Sequence, residues 1–187
     1  NKVYDKAGTY EDGTIKGDVT VTTANVTLNN TVIEGNLIIA ESVGEGEVYF
    51  NNVTVKGETR ILGGGQNSVY FENSILATVI VNKNTGAVRV VVKGDTSVRE
   101  VFLESSAILQ EDVTNEAAGF TNVKLQESMR NSDNTVELIG TFETINVYAV
   151  DVQITLPKNS TINDLILAAV ATVKGQGIIT KLEVGQS

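Results

Sequence analysis

Val48-Tyr49-Phe50-Asn51-Asn52 returns 21 residues later as Val69-Tyr70-Phe71-Glu72-Asn73, and 22 residues earlier Val26-Thr27-Leu28-Asn29-Asn30 holds the same place. In each copy two apolar residues flank a variable one, and a polar pair follows. That is a strand of period two running into a turn. One strand returning every twenty-odd residues marks a solenoid.

A second signature counts the coils. Ile15-x-Gly17-Asp18-Val19-x-Val21 recurs as Ile33-x-Gly35-Asn36-Leu37-x-Ile39 and as Val55-x-Gly57-Glu58-Thr59-x-Ile61. Ile75, Val79 and Val81 keep the spacing without the glycine, and a shorter form follows from Val98-x-x-Val101-x-Leu103 to Ile179-x-x-Leu182-x-Val184. The middle residues fall at 19, 37, 59, 79, 101, 123, 145, 165 and 182, in steps of 18, 22, 20, 22, 22, 22, 20 and 17.

Two or three short strands per coil, with Gly and Asn at the corners, specify an all-β fold, a right-handed parallel β-helix of about nine coils. Coils longer than eighteen residues favour this form over the tight left-handed triangular type. Stacked at about 4.8 Å, nine coils make a rod on the order of 40 Å long. The competitor is a β-sandwich, which also yields many short strands but has no reason to repeat side-chain identity at one period.

The chain of 187 residues is 41% hydrophobic and 20% charged, with 17 Gly and 1 Pro, which points to a folded core. A net charge of −9 is the wrong sign for a nucleic-acid partner or an anionic membrane surface. Without Cys or His there is no disulfide, no thiolate chemistry and no imidazole proton shuttle. No run approaches a membrane span. We read residues 1–187 as one domain, with 1–13 as an N-terminal cap or linker. The start at Asn1 suggests an excised module, and Gly185-Gln186-Ser187 suggests the start of a linker. Residues 110–119 and 126–134 are polar and read as protruding loops, the second being the expected mobile one.

Three features carry candidate chemistry. Tyr49 and Tyr70 alternate with core residues, so they should stand outside on adjacent coils as a platform for the apolar face of a sugar. The plainer reading is two stacked tyrosines that stiffen the sheet. Glu41, Glu45 and Glu47 surround two glycines beside the glycine-rich corner at Gly63-Gly64-Gly65. We take Glu45 and Glu47 as candidate calcium ligands, against the alternative of solvated surface charge. Asp18, Asn36 and Glu58 form an outward column flanked by Lys16, Glu34 and Lys56, which reads as an ion-pair ladder rather than as catalytic acids. Four Asn-Ser bonds, with Asn131-Ser132 the exposed one, are sites of slow deamidation or cleavage.

Val3-Tyr4-Asp5-Lys6-Ala7-Gly8-Thr9-Tyr10, Gly17-Asp18-Val19, Leu37-Ile38-Ile39-Ala40-Glu41-x-Val43-Gly44-Glu45-Gly46, Asn51-Asn52-Val53-Thr54-Val55-x-Gly57-Glu58-Thr59 and Gly63-Gly64-Gly65-Gln66-Asn67-Ser68 together resemble β-helix modules of bacterial cell-surface proteins. Such modules accompany S-layer homology domains and glycanases. The nearest functional family is carbohydrate-binding module family 54. The resemblance is specific over residues 3–75 and architectural beyond. It implies a non-catalytic module on the bacterial cell surface, extracellular, binding insoluble polysaccharide (β-glucan, xylan or chitin) and calcium, flanked by catalytic or wall-anchoring domains. The alternatives are a ligand-free spacer and a β-helix polysaccharide lyase or hydrolase.

Overall fold

The computed structural model describes residues 1–67, 69–113, 119–129 and 134–185. The loop expectations for 114–118 and 130–133, including Asn131-Ser132, and the linker expectation at Gln186-Ser187 lie outside the described residues.

The chain winds as a right-handed parallel β-helix of about nine coils, with each strand pairing to its counterparts one coil before and after. Val19, Leu37, Thr59, Val79, Val101, Val123, Ile145, Leu165 and Leu182 are successive partners along one ladder. The opening motif forms a second ladder: Val26, Val48 and Val69 are in register, as are Thr27, Tyr49 and Tyr70, and Leu28, Phe50 and Phe71. A shift of one residue in either ladder would turn the whole apolar row to solvent, so burial fixes the register.

Inward side chains stack like on like. Phe50 lies 4.9 Å from Phe71 and Phe120 lies 6.0 Å from Phe142, in both cases nearly parallel. The interior is mainly apolar, with a small number of buried polar side chains among which Thr59 stands apart. Thr59 occupies a core position of the marker column, fully buried, and its hydroxyl has no partner among the described residues. On the last coil Leu182 and Val184 occupy the columns of Leu165 and Leu167 but stand 54% and 72% exposed, because no described coil covers them.

The corners are built from side-chain ladders. Asn30, Asn52 and Asn73 turn the chain with φ of 50°, 54° and 51°, the left-handed region that Asn tolerates. The Asn52 amide donates to the Asn30 carbonyl oxygen and that of Asn51 to Asn29, each at 2.8 Å. The column read as an outward ion-pair ladder does different work. Asp18 Oδ1 accepts the Asn36 backbone N–H, and Asn36 Oδ1 accepts that of Glu58, each at 2.8 Å. These side chains supply acceptors where the turning backbone leaves the strand pattern. Among the described residues no ion pair joins Lys16, Glu34 and Lys56; Glu58 pairs instead with Arg60 at 2.8 Å.

Residues 2–10 continue the same ladders. Lys2–Tyr4 pairs with Val19–Val21, and Gly8–Tyr10 pairs with the start of Val26–Ile33. Tyr4 is buried, with its hydroxyl donating to Asp12 at 2.5 Å and its ring 4.7 Å from that of Tyr10. The polar stretch expected to open a loop at Gln110 is strand through Val113, in the element Ala107–Val113. Its outward polar residues satisfy the strand alternation and hid it from a hydropathy reading.

Two substitutions test this account. A Cβ at Gly57 would lie 2.5 Å from the Gly35 carbonyl oxygen and closer still to Asn36 Oδ1, whereas at Gly13, with φ of 70°, it would meet nothing. In thermal denaturation Gly57→Ala is expected to lose clearly more stability than Gly13→Ala, whose cost is limited to the roughly 1 kcal/mol of left-handed strain. Thr59→Val removes the orphaned hydroxyl at similar shape and is expected to raise stability by about 1 kcal/mol.

Candidate functional site

Tyr49 and Tyr70 stand outside on adjacent coils, as the alternation requires. Their ring centres are 5.0 Å apart with an 8° angle between planes. That separation equals the coil spacing, so the rings stack along the rod axis and each covers a face of the other. Lys93, from the next coil, places its ammonium 5.3 Å from the Tyr70 ring, a cation–π contact on the side away from Tyr49. Both phenols are engaged: Tyr49 donates to the Glu47 carboxylate, and Tyr70 to the Asn67 carbonyl at 3.1 Å. The hydrogen bond to Glu47, with burial second, pushes the Tyr49 phenol up to about 12. The pair therefore presents ring edges to solvent, whereas a sugar stacks on a ring face. Beyond Tyr70 the column continues with Val91, which is buried.

The acidic corner follows a short 3₁₀ turn, Glu41–Val43. Glu45 pairs with the ammonium of Lys83 at 2.7 Å, and its carboxylate lies against Gly65. Glu47 faces Tyr49, and Glu41 accepts from the Asn84 amide at 2.9 Å. Lys83 is buried, so Glu45 neutralises a cation that would otherwise lose its hydration unpaired. The three carboxylates point to three different partners. No group of three or more acidic side chains fit to hold a metal occurs among the described residues. As arranged, with Glu45 on Lys83 and Glu47 on Tyr49, the two carboxylates do not make the convergent oxygen cage calcium needs.

A third feature comes from one strand irregularity. Along Val48–Ile61 the register slips between Val55 and Glu58, a bulge that bends the outer surface. On one side of the bend, Thr54, Ile75 and Ser97 are successive outward partners. On the other side, Ala77, Arg99 and Thr121 follow one another coil by coil, as the flanking pairs require, and Lys56 and Gly57 together lie opposite Ala77. Between the two rows lies an open groove of about 460 Å³, running with the rod axis. Its apolar surface is Ile75, 56% exposed, with Ala77; hydroxyls of Thr54, Ser97 and Thr121 line it, and Lys56 and Arg99 stand above it. Of these, only Lys56 carried any expectation, as a rung of the ion-pair ladder. Counting back two residues from the markers puts 77, 99 and 121 in one column, whereas Lys56 sits three back, where the bulge adds its extra residue.

One further carboxyl departs from its ordinary behaviour. Glu111 follows Leu28, Phe50, Phe71 and Val92 in an inward column. It accepts the backbone N–H of Phe120 at 2.7 Å and of Thr141 at 3.2 Å. Those bonds favour the carboxylate, but burial outweighs them and pushes the carboxyl up from 4.5 to about 7. The folded state therefore holds a proton that the unfolded chain releases. This contribution to stability is complete below pH 4.5 and is lost as pH rises to about 7. The loss is expected to be roughly 2–4 kcal/mol. Glu111→Gln should flatten that part of the stability-versus-pH curve, measured by urea denaturation at a series of pH values.

The chain matches no protein-family model, no curated protein and no solved structure. The likeness to carbohydrate-binding module family 54 therefore rests on the residues quoted for it.

Proposed function

We propose that this chain is a non-catalytic carbohydrate-binding module that lays an extended polysaccharide along its axis, extracellular and at a bacterial surface. The observation that carries the reading is the groove at the Val55/Glu58 bulge. It runs in the direction in which a polymer can extend, and it offers the same pair of rows on each successive coil. Its composition suits a sugar. Ile75 and Ala77 match the C–H face of a pyranose ring, and the Thr and Ser hydroxyls match its equatorial hydroxyls. The resemblance to β-helix modules of bacterial cell-surface proteins supports the extracellular setting. The Tyr49–Tyr70 stack is assigned a stabilising part.

Co-sedimentation with insoluble β-glucan, xylan and chitin tests the proposal. The protein is expected to pellet with at least one of them. Ile75→Asp should reduce retention at least tenfold, while Tyr49→Ala with Tyr70→Ala should lower the melting temperature and leave retention unchanged. Retention lost with the tyrosines and kept in Ile75→Asp would move the site to the ring stack. No retention on any polymer would favour a ligand-free spacer.

A further inference from the structure

We propose that the groove selects an acidic polysaccharide whose carboxylates are spaced along the chain, and that Lys56 and Arg99 are the residues that read them. The inference rests on the groove being the glycan site.

Lys56 and Arg99 line the same groove two coils apart, with Ala77, opposite the Lys56–Gly57 bulge, on the coil between them. At ~4.8 Å per coil they stand about 10 Å from each other along the axis. Among the described residues neither makes an ion pair or a side-chain hydrogen bond. The acidic residues on the neighbouring column are already engaged: Glu58 with Arg60 at 2.8 Å, and Glu100 with Lys124 at 3.9 Å. Two unneutralised cations over one groove are unexpected on a chain of net charge −9. Arg in particular presents a planar fork that fits a carboxylate with two parallel hydrogen bonds.

The neighbours of the groove limit the density of charge that fits. On the coil before, Glu34 lies beside Lys56, and on the coil after, Glu143 lies beside Thr121. A carboxylate on every sugar would set one against neutral Ala77 and others against the like charges of Glu34 and Glu143. A carboxylate on about every second sugar meets Lys56 and Arg99 in turn. One coil is close to the length of one sugar in an extended chain. The net negative field opposes any polyanion at long range but is screened beyond about 8 Å at physiological salt, which leaves the local pairing to decide.

The groove does not suit an acidic peptide. The strands beneath it, from Val48–Ile61 through Ile75–Val81 to Ser97–Leu103, are paired on both sides and offer no edge for strand addition.

Calorimetry on the whole chain tests the inference with four soluble probes: hyaluronan, whose carboxylates fall on alternate sugars, the same polymer after carboxyl reduction, neutral arabinoxylan, and dextran sulfate. Hyaluronan is expected to bind at least tenfold more tightly than its reduced form. Lys56→Gln and Arg99→Gln should each remove most of that difference, and Lys16→Gln, in the column of Lys56 but outside the groove, should remove none. All three positions are solvent-facing, and unchanged melting temperatures would confirm intact folds. Equal binding of the reduced polymer, or indifference to both substitutions, would overturn acid selection while the glycan reading stands. Tighter binding of dextran sulfate would overturn it in favour of a general anion site. Binding of none of the four would overturn acid selection, and retention on the insoluble polymers would separately decide the glycan reading.

Discussion

The stacking of each coil on an equivalent coil is the constraint from which the rest of this protein follows. Parallel pairing satisfies the backbone only if every strand lies over its counterpart. Burial in turn requires that apolar residues meet apolar residues at the same height. Phe50 over Phe71 and Val26 over Val48 over Val69 are the result. An array of this kind is held by neighbour-to-neighbour terms, so each coil must present acceptable surfaces above and below. Where the backbone turns away from strand geometry, side chains take over the pairing. Asn30 with Asn52, Asp18 with the Asn36 amide, and Glu111 with the amides of Phe120 and Thr141 are versions of one device.

That device explains why polar residues that look available for chemistry are not. Asp18 and Asn36 are occupied by the backbone of the next coil. Glu45 is held by Lys83, and the hydroxyls of Tyr49 and Tyr70 are held by Glu47 and Asn67. The groove differs because its cations have no ion-pair partner among the described residues and its most exposed apolar residue, Ile75, faces solvent. It lies at the bulge where one strand carries an extra residue between Val55 and Glu58, and the later coils continue its rows in even register.

The solenoid was legible because its period is carried by identity as well as by hydropathy. Val-Tyr-Phe repeated twice, and a marker residue every twenty-odd positions, predict ladders that the backbone forms residue for residue. What escaped was geometry that sequence alternation does not encode. Alternation places Tyr49 and Tyr70 outside, but it does not say that rings one coil apart will cover each other's faces. It places Asp18 after a glycine, but it does not reveal that the turn points the carboxylate along the axis toward Asn36. Gln110 to Val113 looked like a loop because outward Gln110 and Asp112 flank Glu111, a polar residue in an inward column. The groove was missed for a related reason: its rows lie on two sides of a bulge, and the extra residue there sets Lys56 out of step with the spacing that aligns Ala77 and Arg99.

The claim at the centre of this account is that the ligand-facing surface is the bulge groove and not the aromatic column. Methyl and side-chain NMR during titration with soluble oligosaccharide reads both surfaces at once. The account predicts shifts at the Ile75 methyls, the Ala77 methyl and the Arg99 guanidinium, with the Tyr49 and Tyr70 ring signals unmoved. Shifts confined to the two tyrosine rings, with Ile75 silent, would contradict it.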